Sequence, residues 1–123
     1  MGALDFIFRI LNEIESFPAG QVIFKCGETG DEMYVVKEGE VDIMVGDVVV
    51  ETARPGAIVG EMALIDKCCR SATAVAKSDC KLVPINEARF RFLVQQNPFF
   101  SLHVMQVMAE RLRSMNKQIE PGE

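Results

Sequence analysis

The strongest constraint on the fold is a succession of short apolar segments between Gln21 and Ile85. Each segment has the length of a β-strand, and each is bounded by turn residues such as Gly46-Asp47 and Pro55-Gly56. Many short strands at this spacing predict a β-sandwich, a barrel or a roll. The predicted strands cover residues 22–24, 33–37, 41–45, 48–50, 73–76 and 81–85.

Helical spacing of apolar residues appears at both ends of this β-region. At the amino end, apolar residues recur every three or four positions and predict an amphipathic helix over about residues 3–16. At the carboxyl end, Asn86 is a suitable N-cap for one helix, and Asn97-Pro98 separates it from a second helix over about 99–119. The predicted fold class is therefore mainly β with flanking helices.

Length and composition bound the remaining possibilities. The chain has 123 residues, which is enough for one domain over 1–123, with β-strands in about 17–85 and helices in about 86–119. A net charge of −5 argues against non-specific binding to nucleic acid or to anionic lipid. No apolar segment reaches the length of a membrane span. Four cysteines without a C-x-x-C pair predict free thiols, a cytoplasmic location and no zinc site.

The segment from Gly60 to Ala74 combines residues suited to binding a small organic anion. Gly60 and Glu61 precede a short apolar turn, whose first backbone N–H groups favour an oxyanion. Arg70 supplies a planar cation that pairs with phosphate. Because a carboxylate repels a neighbouring anion, Glu61 suits the same ligand only if that ligand also offers a hydroxyl group. The combination favours a sugar phosphate with a free ribose hydroxyl.

This segment resembles the phosphate-binding cassette of the cyclic nucleotide-binding domain family. The family pattern is Phe-Gly-Glu, an aliphatic residue, Ala-Leu, a short variable loop, and then Arg, one of Ser, Thr or Ala, and Ala. The chain departs from this pattern where Val59 stands in place of the aromatic residue. The likeness extends to segments 17–20, 27–31, 33–36 and 39–41, and so to nearly the whole chain. The matching residues are Gly60, Glu61, Met62, Ala63, Leu64, Arg70, Ser71 and Ala72.

The resemblance implies an antiparallel β-roll of the jelly-roll type and a ligand that is cyclic AMP or cyclic GMP, with no further cofactor and no metal. It implies that Glu61 accepts a hydrogen bond from the ribose 2′-hydroxyl and that Arg70 pairs with the exocyclic phosphate oxygens. The expected contribution of that pair is about 1.5–3 kcal/mol. Further phosphate donors would be the backbone N–H groups of Met62, Ala63 and Ala72.

Ser71 bears on the choice of base. Its hydroxyl would contact the phosphate or a guanine amino group. In the family, Thr at this position accompanies a preference for cyclic GMP and Ala a preference for cyclic AMP, while Ser occurs in cyclic AMP binders. The resemblance therefore favours cyclic AMP.

The second C-terminal helix carries an apolar seam whose spacing alternates between three and four residues. This seam could pack on the β-roll, close as a lid over the base, or pair with a second subunit through residues 101–119. The resemblance implies a hinged helix that couples ligand binding to a protein partner or to a neighbouring subunit. The seam residues are Met105, Met108, Leu112, Met115 and Ile119.

These observations predict a sensor module that binds a cyclic nucleotide, performs no chemistry on it and moves its C-terminal helix in response. The alternative is a β-roll scaffold or dimerisation domain that has lost nucleotide binding. A metal-dependent enzyme of the cupin type would need several histidines, whereas the chain contains His103 alone.

Overall fold

A computed structural model describes residues 13–65 and 69–119, except for the side chains of residue 65 and of residues 114–119. Eight strands and three helices lie in this part of the chain. The strands are β1 (Glu15–Phe17), β2 (Val22–Phe24), β3 (Glu32–Glu38), β4 (Val41–Val45), β5 (Val48–Ala53), β6 (Ile58–Val59), β7 (Thr73–Ala76) and β8 (Cys80–Asn86). The helices are α1 (Met62–Ile65), α2 (Glu87–Gln96) and α3 (Pro98–Ile119).

The strands form two four-stranded sheets in which every neighbouring pair is antiparallel. One sheet has the order β1-β8-β3-β6 and the other the order β2-β7-β4-β5. Because the chain alternates between the sheets, the two halves close into a roll. The predicted fold class, an antiparallel β-roll with C-terminal helices, is confirmed.

The amino end differs from its prediction. Most of the predicted helix over 3–16 lies outside the described residues, but its last two positions belong to strand β1, so the predicted end is wrong. Glu15 lies opposite Leu82, and Phe17 lies opposite Cys80. The edge of β8 offers unpaired backbone groups here, and Phe17 packs edge-on against the ring of Tyr34 at 6.4 Å. These tertiary contacts outweigh the local helical spacing.

The first sheet is buried on both faces because its strands separate two apolar cores. Alternate residues of β3 point in opposite directions: Met33 and Val35 face the helices, whereas Tyr34 and Val36 face the inside of the roll. The roll interior also contains Phe24, Val41, Val59, Ala74 and Leu82. The outer core is closed by residues of α2 and α3, namely Leu93, Phe100 and Val104.

The boundaries of the C-terminal helices follow local signals. Asn86 is the N-cap of α2, since its side-chain oxygen accepts a 2.9 Å hydrogen bond from the backbone N–H of Arg89. The side chain of Asn97 accepts a 3.0 Å bond from the N–H of Phe99 and so begins α3. Both predicted helix starts are therefore confirmed to within one residue.

The predicted apolar seam of α3 is divided between two sides of the helix. Met108 packs against the outer core, but Met105 is 59% exposed and Leu112 is 60% exposed. The side chains of Met115 and Ile119 lie outside the described residues. The face that touches the domain begins at the buried Phe100 and runs through Val104, Val107, Met108 and Arg111. This spacing follows the 3.6-residue period of a single helix lying on its own domain.

Candidate functional site

The turn between β6 and α1 sets the geometry of the predicted cassette. Gly60 has a φ of 76°, a left-handed conformation that strongly favours glycine. The chain then enters α1, where the N–H of Leu64 donates to the carbonyl of Glu61 at 3.1 Å. Val59, where the chain departs from the family pattern, is fully buried in the roll interior.

Arg70 lies beneath this turn and is only 7% exposed. Its Nη1 donates a 3.1 Å hydrogen bond to the carbonyl of Gly60, and its guanidinium carbon lies 4.2 Å from the centre of the Phe24 ring. Its backbone is fixed by two hydrogen bonds, from its own N–H to Glu28 and from the N–H of Gly27 to its carbonyl. The structure therefore brings Arg70 to the turn at Gly60, ten residues away in sequence.

Glu61 is the second buried charged residue, at 4% exposure. Its carboxylate accepts a hydrogen bond from Nη1 of Arg111, a residue of α3 that is 50 positions away in sequence. No ion pair between Glu61 and Arg70 occurs within residues 13–65 and 69–119. The negative charge of Glu61 is therefore held by Arg111, whereas the guanidinium of Arg70 is held by the neighbouring Gly60 carbonyl and the Phe24 ring.

Arg111 forms a network that joins α3 to the β-roll. Its Nε and Nη2 donate to the two carboxylate oxygens of Glu51 on β5, at 3.0 and 3.1 Å. Nη2 also donates to the carbonyl of Ile58 at 2.7 Å. Burial alone would lower the pKa of Arg111, but the hydrogen bonds that its guanidinium donates to Glu51 and Glu61 raise the pKa overall, so the guanidinium stays charged.

Sequence reasoning missed both Arg111 and Glu51 as candidate site residues. Arg111 appears in the sequence only as one cation of an A-E-R-L-R segment, and Glu51 only as the polar end of a valine-rich strand. The signal that could have identified Arg111 is its position three residues after Met108, which puts both residues on the face of α3 that meets the domain. Nothing local identifies its partners, because they lie 50 and 60 positions earlier.

The other predicted site residues differ in their exposure and in their hydrogen bonds. Met62 is at the exposed margin of α1, Ala63 is buried and Ser71 is exposed. The N–H of Ala63 donates to the Gly60 carbonyl at 3.3 Å, so this predicted phosphate donor is not free. Ala72 lies between Ser71 and the first residue of β7 and is partly buried.

The predicted site is closed rather than open. A surface cavity of about 490 Å³ lies beside α1, but Ala63 is the one predicted site residue among its lining residues. Glu61 and Arg70 are both covered, and α3 contributes to the cover through Arg111. Both side chains are therefore largely screened from solvent in this structure.

Among the residues that the structure describes, the other reactive groups form no second site. Cys26 and Cys69 are exposed free thiols, and burial raises the pKa of the Cys80 thiol. Cys68 lies outside the described residues. Within the described ranges, no set of three or more histidine, cysteine or carboxylate side chains is grouped to hold a metal ion. No helix among the described residues has the length and apolar character needed to cross a membrane.

Comparisons with known proteins identify the family to which the chain is similar. The model of the cyclic nucleotide-binding domain family matches residues 14–97. The cAMP-dependent protein kinase regulatory subunit of Eremothecium gossypii is 36% identical over 92 residues, which are 73% of this chain and 20% of that protein. A cyclic nucleotide-gated potassium channel of Mesorhizobium japonicum is 42% identical over 81 residues, 66% of this chain and 22% of that protein.

Among solved structures, the catabolite activator protein of Thermus thermophilus superposes with a TM-score of 0.81 at 27% identity. The match covers 95% of this chain and 57% of that protein. The chain belongs to the cyclic nucleotide-binding domain family, since the family model covers more than half of it. It spans only about a fifth of the length of the two relatives above.

Proposed function

We propose that this chain is a sensor that binds a cyclic nucleotide between Glu61 and Arg70 and reports the ligand through α3. The observation that carries the proposal is the pairing of the two buried charged residues with the turn at Gly60. A buried carboxylate and a buried cation at one turn match the hydroxyl donor and the anion of a cyclic nucleotide. In this proposal the module performs no chemistry on its ligand, and the described residues of its cassette act as hydrogen-bond partners.

The coupling to α3 follows from Arg111. In the proposed complex the ribose hydroxyl donates to Glu61, whose carboxylate is also held by Arg111. A carboxylate has two oxygens with several acceptor positions, so it can bind both donors at once. Arg111 also offsets the negative charge of Glu61 beside the phosphate. Docking of α3 and binding of the ligand therefore favour each other by an equal free energy.

Cyclic AMP is the proposed ligand, in preference to cyclic GMP. The support is Ser71, which stands where the family has Thr in proteins that prefer cyclic GMP. Ser71 is exposed and follows Arg70 directly in the sequence, and in this proposal its hydroxyl contacts either the phosphate or the base. We place the protein in the cytoplasm, where the free thiols at Cys26, Cys69 and Cys80 remain reduced.

Calorimetric titration of the chain with cyclic AMP, cyclic GMP and 5′-AMP tests this function. We expect micromolar or tighter binding of cyclic AMP, weaker binding of cyclic GMP, and no binding of 5′-AMP, whose doubly charged phosphate is not held in a ring. The sample is first checked for co-purified nucleotide. Absence of heat with all three ligands would contradict the proposal and favour a β-roll scaffold that has lost nucleotide binding.

The exposed side of α3 suggests a second copy of the chain as a protein partner. Leu102, Met105, Ala109 and Leu112 follow one another at spacings of three, four and three residues, and the three larger side chains are exposed. This spacing is that of a helix seam that packs against another helix. We include a homodimer through α3 in the proposed function, with a register different from that of the predicted seam.

Sedimentation equilibrium measures this association. We expect the wild-type chain to dimerise with increasing concentration and Leu112→Glu to remain a monomer, because a charge within a helix seam resists burial. Phe92→Glu is the matched control, since Phe92 is an exposed apolar residue of α2 and lies off the seam. A wild-type chain that stays monomeric over the whole concentration series would exclude the dimer.

A further inference from the structure

The guanidinium of Arg70 is enclosed by three residues, Phe24, Gly30 and Gly60, which we call the Arg70 pocket. Phe24 lies against one face of the guanidinium, with 4.2 Å between the guanidinium carbon and the ring centre. Gly60 accepts a hydrogen bond from Nη1 through its carbonyl. Gly30 lies so close to the guanidinium that a Cβ atom added to it would overlap the guanidinium.

The two glycines leave no room for a side chain. A Cβ added to Gly30 would lie 2.3 Å from Nε, 2.5 Å from the guanidinium carbon and 2.6 Å from Nη2 of Arg70. A Cβ added to Gly60 would lie 2.6 Å from Nη1 of Arg70 and 3.1 Å from Cε2 of Phe24. These distances are well below van der Waals contact, so the pocket fits the guanidinium closely on two sides.

The aromatic wall of the pocket is itself held in place. Phe24 is buried and stacks on Tyr34, with 6.4 Å between the ring centres and 17° between the ring planes. Tyr34 in turn contacts Phe17 edge-on. Burial raises the pKa of Tyr34 to about 12, so its phenol stays neutral and adds no negative charge near Arg70. The ring of Phe24 therefore has little freedom to turn away from the guanidinium.

The two arginines of the site have partners of different charge. Arg111 is paired with two carboxylates, whereas Arg70 contacts an aromatic face and a backbone carbonyl, and the ion pairs of the described residues do not include it. A carboxylate partner would neutralise Arg70 and compete with an incoming phosphate. An aromatic face and a carbonyl hold a guanidinium while leaving it its full positive charge.

We propose that Phe24 is a positioning residue for Arg70: its ring orients the buried guanidinium toward the anionic group of the ligand while preserving the charge. This inference rests on the proposed function, in which Arg70 binds the cyclic phosphate. It assigns a role in ligand affinity to a strand residue outside the cassette. Phe24 acts through Arg70 and does not touch the ligand.

The test compares cyclic AMP affinity by calorimetry in the wild-type chain, Phe24→Leu and Phe17→Leu. Leucine keeps an apolar side chain at position 24 and removes the aromatic face, so we expect affinity to fall about 3- to 10-fold. Phe17→Leu is the matched control, because it shortens the same row of rings at the end remote from Arg70. It should lower the melting temperature by a similar amount and leave the dissociation constant within about twofold.

Two further variants separate positioning from a general structural effect. In an Arg70→Ala background, Phe24→Leu should change affinity by less than about twofold, because the residue it orients is absent. Gly30→Ala, which narrows the pocket around Nε and the guanidinium carbon of Arg70, should weaken binding several-fold only in the chain that retains Arg70. Equal affinities for wild type and Phe24→Leu, or an equal loss with and without Arg70, would overturn the inference while the proposed function stands. A wild-type chain that binds no cyclic nucleotide would overturn both.

Discussion

Arg70→Ala is expected to weaken cyclic AMP binding by about 10- to 100-fold, because it removes a charge-assisted hydrogen bond of about 1.5–3 kcal/mol. The effect is large because Arg70 is only 7% exposed, so water does little to screen its charge. The backbone around Arg70 is held by hydrogen bonds with Glu28 and Gly27 that the substitution leaves in place. We therefore expect a folded variant.

Calorimetry on Arg70→Ala and on Arg54→Ala checks this result. Arg54 is a surface arginine whose side chain is 76% exposed, so its loss changes the net charge equally without touching the cassette. Arg54→Ala should bind within about twofold of wild type, as expected for a screened surface charge. A melting curve establishes that both variants are folded. Superimposable titration curves for Arg70→Ala and wild type would show that Arg70 does not bind the ligand.

Arg111→Ala is expected to have the largest effect on stability, because it leaves the carboxylate of Glu61 buried and facing a second carboxylate, Glu51. Loss of one partner of a buried ion pair typically costs about 3–5 kcal/mol. Since the side chain of Arg111 is 25% exposed, we expect a loss near 3 kcal/mol. Undocking of the end of α3 relieves part of this cost by admitting water to Glu61. The same change should weaken nucleotide binding, because docking of α3 and binding are linked.

Urea denaturation and amide hydrogen exchange measure the two consequences of Arg111→Ala. We expect faster exchange for the amides of α3 that follow Val104, and a lower free energy of unfolding. Arg113→Ala is the control, since Arg113 is an exposed arginine two positions further along the same helix. It should leave both quantities close to their wild-type values.

A double substitution completes this test. Adding Glu61→Gln to Arg111→Ala removes the buried, unpaired negative charge, so the free energy of unfolding should recover by at least about 1 kcal/mol. Cyclic AMP affinity should not recover, because the proposed acceptor for the ribose hydroxyl is weakened as well. If the double variant is no more stable than Arg111→Ala, the ion pair does not control the docking of α3.

The fold and the cassette were largely predictable because their determinants are local. Alternating polar and apolar residues mark the strands, Gly46-Asp47 and Pro55-Gly56 mark turns, and Asn86 caps a helix. The cassette is contiguous except for its variable loop, so its residues could be recognised together. By contrast, residues 15 and 16 have helical spacing on their own and become a strand only because β8 offers them a pairing edge.

By itself, the sequence determined six of the eight strands that the structure describes, both C-terminal helices, the turn at Gly60 and the presence of Glu61 and Arg70 in one segment. These features depend on backbone preferences and side-chain periods that act over a few residues. Only the tertiary structure decided that Arg111 holds Glu61, that Phe24 and Gly30 enclose Arg70, and that Met105 and Leu112 face away from Met108. Such contacts join positions that are distant along the chain, and they are fixed by how α3 and the two sheets pack, which no local pattern records.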